Sequence, residues 1–156
     1  MMNRIIVDSQ EGIERPGWIE NVEPFIALIL DKLGIENWEL SVLFCNDAFI
    51  TDLNKKYRDI DSPTDVLSFE QGDEYIDDED VNWFNAGDIV ISLDTLKSNA
   101  KDFSVDVNDE LKRLLVHGVL HLDGMDHEDN SPEQEMLQFQ EHLLAGFKNI
   151  LVYGDN

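Results

Sequence analysis

His117-Gly118-Val119-Leu120-His121-Leu122-Asp123-Gly124-Met125-Asp126-His127 holds three of the four histidines of the chain. His117 and His121 stand four residues apart, a spacing that stacks them on one face of a helix, where they can share a metal ion. Gly124 can adopt the left-handed conformation that ends a helix and lets the chain turn back. His127, three residues further on, then comes within reach of the same ion. Three imidazoles leave a fourth tetrahedral position open, which is the arrangement of a catalytic zinc rather than a closed structural one. Leu114, Leu115, Val116, Val119, Leu120 and Leu122 surround the two helical histidines with apolar side chains, and burial favours the neutral, metal-ready ring. The competing reading is three unrelated histidines, each hydrogen-bonded in the core or exposed. The triple, with a glycine placed to bend the chain between its members, favours the metal.

Working outward, the histidine helix spans roughly 106–123 and follows a shorter helix over roughly 94–102. Ser131-Pro132-Glu133-Gln134 combines an N-cap, a proline in the first turn and a capping-box glutamine, and opens a last helix that runs to about Leu151. Toward the N-terminus, Trp18, Ile19, Val22, Phe25, Ile26, Ile29, Leu30 and Leu33 recur at helical spacing between Pro16 and Gly34. Asn46 or Asp47 caps a helix carrying Phe49, Ile50, Leu53 and Tyr57. Strands are expected over 3–8, over 38–44, where Trp38, Leu40, Val42 and Phe44 alternate with other residues, over 64–69 after the Asp61-Ser62-Pro63 turn, and at Ile89-Val90-Ile91. Residues 70–85 hold seven acids with little periodicity and read as an exposed loop. Strands crowd the first half and helices the second, so the fold class is α+β: a small mixed four-stranded sheet covered by about five helices, with a zincin-like metal site. No repeat or linker divides the chain, and residues 1–156 read as a single domain.

Composition narrows the class further. The chain carries 11 Lys+Arg against 34 Asp+Glu, a formal charge of −23, yet 42% of it is hydrophobic, which marks a folded globule rather than an acidic tail. A lone cysteine, Cys45, excludes an intramolecular disulfide framework and reads as a small core residue. The longest apolar run, Phe25 to Leu30, falls far short of the roughly 20 residues of a membrane span, and an acid at Asp8 interrupts the N-terminus before a signal-peptide core forms. The expectation is a soluble, cytoplasmic protein. The charge disfavours a nonspecific nucleic-acid binder, but screening over about 8 Å leaves room for a local positive site inside a negative envelope.

The pattern His-x3-His-x2-Gly-x2-His resembles the metzincin protease signature. That signature has Glu directly after its first His, and here the position is Gly118, so peptidase chemistry lacks its proton acceptor. A fuller resemblance covers roughly residues 3–150. The His117–His127 run, together with Asn54-Lys55-Lys56-Tyr57-Arg58, Asp61-Ser62-Pro63-Thr64-Asp65-Val66-Leu67-Ser68-Phe69, Gly87-Asp88-Ile89 and Glu135-Met136, resembles the YbeY family of bacterial endoribonucleases. The resemblance implies a metal-dependent endoribonuclease selective for single strands. It implies action in ribosomal RNA maturation, at the 3′ end of the small-subunit RNA, and in ribosome quality control. It further implies His117, His121 and His127 as ligands of one zinc ion with water in the fourth place, and Arg58 as the functional arginine. Ribosomal RNA and the small ribosomal subunit are the expected partners, with ribosomal proteins as further candidates; no membrane and no DNA are expected. Met125 and Glu70 depart from the family pattern, where an aromatic or His and a Pro are frequent, and neither is a ligand.

A zinc ion on three neutral imidazoles keeps its full charge and can bring the pKa of bound water to about 7. Arg58 complements it, because a guanidinium forks onto two phosphate oxygens; the alternative is a surface ion pair with Asp59 or Asp61. Lys55, Lys56 and Tyr57 make a basic patch with one aromatic, or else a solvated helix end with Tyr57 in the core. Lys112 and Arg113 can widen the patch. Asp126 orients His127 or accepts a proton, or else simply shapes the turn; Asp65 and Asp88 are turn or capping residues as readily as site residues. His142 reads as structural or exposed. Two other functions remain open: a metallohydrolase acting on peptides or small substrates, and a ribosome assembly factor with a structural metal.

Overall fold

A computed structural model of the protein describes residues 2–125 and 134–154. Its sheet has the order β1-β2-β4-β3, built from β1 (Arg4–Ser9), β2 (Trp38–Cys45), β3 (Val66–Ile76) and β4 (Asn82–Ser92). β1 and β4 both run parallel to β2, and β3 is antiparallel to β4, so the sheet is mixed as expected. Among the described residues there are five α-helices: α1 (Val22–Leu33), α2 (Asp47–Arg58), α3 (Leu93–Asp102), α4 (Val107–Leu122) and α5 (Glu135–Gly146).

The parallel pairs require crossovers, and α1 supplies the one between β1 and β2. Alternation along the strands then sorts the core to two sides. Leu40, Val42, Phe44, Ile89 and Ile91 pack with α1, α4 and α5 into the main cluster. Cys45, Val90 and Leu67 gather with Ile50 of α2 into a smaller one. Cys45 is therefore the core residue expected, and burial, with the nearby Asp47 and Asp94 carboxylates, pushes its thiol up to about 12.

Two expectations need correction. Residues 70–85 are not a loop: β3 and β4 continue through most of them as a long hairpin. From Glu70 onward every β3 residue is exposed, so the apolar alternation that betrays a half-buried strand is missing. What holds the outer hairpin is a cluster around Arg4, whose guanidinium lies 3.9 Å from the Trp83 ring centre and pairs with Asp77 at 3.2 Å. Asp77 also accepts from the Trp83 indole and from the Val81 and Glu79 amides, and these donors hold its carboxyl below the usual range. Second, Pro16 does not open the first α-helix. Ile19 bonds back to the Pro16 carbonyl, a 3-10 turn covers Ile19–Asn21, and α1 begins at Val22. The Ser131-Pro132-Glu133 start expected for the last helix lies outside the described residues, and α5 is described from Glu135.

Packing of α4 on the sheet depends on two glycines. A Cβ on Gly118 would stand 2.9 Å from Ile89 side-chain carbons, and one on Gly87, at φ +137°, would stand 2.0 Å from the Phe69 carbonyl oxygen. Gly118→Ala gains about 1 kcal/mol in helix propensity but forces α4 off β4, a cost of about 1–3 kcal/mol. Urea unfolding is expected to show a net loss of stability, smaller in the Ile89→Val background than in the native one.

Candidate active site

α4 carries the two helical histidines because its ends and its faces are strongly marked. Asp106 caps it by accepting from the Asn108 amide at 2.7 Å, and Asp109 and Glu110 occupy its first turn, where negative charge complements the helix dipole. At the other end Gly124, at φ +88°, takes the left-handed conformation anticipated for it, with Gly124 N–H on the His121 carbonyl and Met125 N–H on that of Leu120. Leu111, Leu115, Val116, Val119 and Leu120 face the core. His117 and His121 are left half-buried on the opposite side, at the wall of a cleft of about 700 Å3.

The two rings meet at their Nε2 atoms, 3.0 Å apart, with ring centres separated by 4.5 Å. The Nδ1 of His117 lies 2.7 Å from Oε1 of Gln140 on α5. An amide oxygen only accepts, so His117 donates from Nδ1 and keeps the lone pair of Nε2 in the cleft. Gln140 is almost wholly buried, one of three buried residues on α5 with Met136 and Leu143. Two nitrogens bound to one tetrahedral zinc at about 2.0–2.1 Å stand about 3.3–3.4 Å apart. The spacing here comes within a few tenths of an ångström of that, and imidazole nitrogens are ordinary zinc ligands, so this pair fits one side of a metal ion. His127, the third expected ligand, and Asp126 beside it lie outside the described residues. Among the described residues no group of three potential ligands converges.

Arg58 lines the same cleft, although it comes from the far end of α2. Asp59, in the left-handed conformation at φ +59°, ends that helix, and buried Asn54 donates to the Ser62 carbonyl at 2.9 Å, tying the Asp61-Ser62-Pro63 turn to the helix end. Among the described residues Arg58 forms no ion pair with Asp59, Asp61 or any other acid, so the surface-pair reading does not hold.

The rest of the expected patch is rearranged. Lys112 is only 2% exposed and donates to the Phe147 carbonyl at 2.8 Å, which makes it a structural link between α4 and the C-terminal segment. Arg113 does reach the cleft but is held by Glu110 and Glu141, both at 3.1 Å. Lys55 and Lys56 are exposed at the end of α2. Tyr57 is exposed rather than in the core; it packs edge-on against Phe69 and does not line the cleft. Asp65 lines it, with one oxygen accepting the Val66 amide and the other 3.4 Å from the Asn99 side chain. Asp88 instead bridges Ser41 and Gln71 across the sheet. His142 is exposed on α5.

Two features of the site go beyond the sequence reading, one behind the histidines and one on the cleft wall. Gln140 could have been noticed as a polar residue four positions after buried Met136, on the apolar side of its helix. Phe103, at the end of α3, lines the cleft while remaining 63% exposed.

Comparison with known proteins places these features in a family context. The profile of the family described as endoribonuclease YbeY matches residues 5–148. The chain is 62% identical over 155 residues to endoribonuclease YbeY of Treponema denticola, covering 98% of this chain and 99% of that protein. It is 39% identical over 142 residues to the enzyme of the same name from Aquifex aeolicus, covering 91% and 89%. Among solved structures, the solution structure of TM1509 from Thermotoga maritima superposes with a TM-score of 0.61 at 30% identity, over 92% of this chain and 87% of that one.

The Gln140 contact makes a direct prediction. Long-range proton–nitrogen NMR correlations at alkaline pH should show His117 protonated at Nδ1 and not at Nε2. Gln140→Leu should return the ring to a mixture of tautomers, and Gln140→Glu, which still accepts at that atom, should not.

Proposed function

The chain belongs to the endoribonuclease YbeY family, and on that premise we propose that it cleaves single-stranded ribosomal RNA with one zinc ion held by His117, His121 and His127 and with Arg58 at the scissile phosphate. The observation that carries this reading is the convergence of Arg58, from the end of α2, with His117 and His121, from the end of α4, on one cleft. Neither helix brings its charge or its ligands there by sequence proximity.

A zinc ion held by these imidazoles supplies Lewis acidity and a nucleophile available at neutral pH. The residues of the chain do the rest. Gln140 fixes the donor atom that His117 presents. Arg58, unpaired by any acid among the described residues, is free to fork onto two phosphate oxygens and to stabilise the charge that grows on them during attack. Asn54 and the Asp59 cap hold the end of α2 so that this guanidinium is presented in place. Gly118 packs so closely on Ile89 that even a Cβ would stand 2.9 Å from its side-chain carbons, so the carboxylate used by zinc peptidases could enter beside His117 only at the cost of shifting that contact. That favours phosphoryl chemistry over the peptidase alternative. The 3′ end of the small-subunit RNA, within the small ribosomal subunit and the cytoplasm, is the substrate and setting proposed.

Elemental analysis should find about one zinc per chain, and the loaded protein should cut single-stranded ribosomal RNA. Arg58→Ala should retain the zinc and the fold but lose about 100- to 1000-fold in kcat, the usual cost of removing one charge-stabilising donor. His117→Ala should lose the metal as well. Zinc-loaded wild type that leaves ribosomal RNA intact, with Arg58→Ala silent in cells, would overturn the proposal.

A further inference from the structure

Phe103 is the one aromatic side chain, apart from the histidines, among the described residues that line the cleft. It sits where α3 ends, on an ordered backbone: the amides of Phe103, Ser104 and Val105 bond back to the carbonyls of Asn99, Lys101 and Ala100 at 2.9, 3.2 and 2.9 Å. Ser104 takes the left-handed conformation, φ +55°, that closes the helix end. The helix end therefore places Phe103 at the cleft with most of its surface uncovered. An isolated exposed phenylalanine needs no explanation; one held in the same cleft as Arg58 and the histidine pair does.

Electrostatics indicates what it holds. The chain carries −23 overall, and Asp65, Glu70 and Glu110 line the cleft itself. Of the two arginines there, Arg113 is already paired with Glu110 and Glu141. Few phosphates can be neutralised, so the usual electrostatic source of nucleic-acid affinity is small. Stacking does not depend on charge, tolerates any base and is available only where the base is unpaired.

We infer that Phe103 is a base-stacking subsite that grips an unpaired nucleobase of the RNA substrate beside the scissile phosphate. This rests on the endoribonuclease reading for the identity of the ligand, and it adds a physical origin for selectivity toward single strands. Arg58 then handles the phosphate and Phe103 a neighbouring base.

The test is binding of a fluorescent single-stranded RNA oligonucleotide, with chelator present so that no cleavage occurs, to the wild type, Phe103→Ala and Phe103→Trp. Because the ring is exposed, all three should melt at the same temperature. Alanine is expected to weaken binding by about 5- to 150-fold, the range for loss of one stacked base, and tryptophan to restore it. An abasic site at one position of the oligonucleotide should cost the wild type a similar factor and the alanine variant nothing more. Equal affinity of wild type and Phe103→Ala would overturn the subsite, as would an abasic penalty that persists at every position in the variant. The binding pattern with no cleavage by the metal-loaded protein would support the subsite while overturning the catalytic reading.

Discussion

The contact on which the site depends is the close approach of α4 to β4, where Gly118 meets Ile89 without an intervening side chain. Interiors pack too densely for a helix to shift by a methyl group without repacking its neighbours. Seating Gly118 at the sheet therefore fixes the rotation of α4 about its axis. His117 and His121 then fall on the wall of the cleft rather than in the core. Gly87 does the same for the sheet, where its positive φ admits the Phe69 carbonyl at a distance no side chain would allow. The two glycines together decide how the histidine helix is presented to β3 and to the cleft.

That rotation also orders the polar groups behind the histidines. Gln140 reaches His117 from α5, and the same helix supplies Glu141 to Arg113. Lys112 bonds to the Phe147 carbonyl just beyond α5, while Asn108 accepts from Val152 and Tyr153 and donates to Ile150. Polar residues of α4 that do not face the cleft are thus spent on tethering the C-terminal segment, whose packing in turn holds Gln140. Fold and site are coupled through one helix.

The local signals in the sequence were strong where one element carried them. The i,i+4 histidines, the Gly124 helix stop and the Asn46 cap each rest on a few adjacent residues, and each has its counterpart in the structure. The mixed sheet followed from the order of strands and crossovers. The outer hairpin was hidden because its stability comes from Arg4, more than seventy residues away, and from a backbone ladder, neither of which leaves a period-2 pattern. The structural role of Lys112 is hidden for the same reason: its partner, Phe147, becomes a neighbour only after α5 docks, as does Glu141, which joins Glu110 on Arg113. Gln140 and Phe103 belong with these, since nothing within their own helices says what lies opposite.

The charge of the chain and the chemistry of the cleft are less at odds than the formal −23 suggests. Neutral imidazoles leave a dication's charge undiminished, and Gln140, being an amide, adds none of the negative charge that a carboxylate partner would bring to His117. Amide hydrolysis needs a proton delivered to nitrogen before it can leave, which is why zinc peptidases keep a carboxylate beside the first histidine. Here that position is Gly118, whose packing on Ile89 disfavours any side chain. Phosphodiester cleavage asks chiefly for positive charge at the phosphorus oxygens, and Arg58 stands in this cleft with no acid paired to it among the described residues. The steric constraint that positions the helix therefore also bears on the reaction: the close packing that orients the histidines removes the group a peptidase needs and leaves those a nuclease can use.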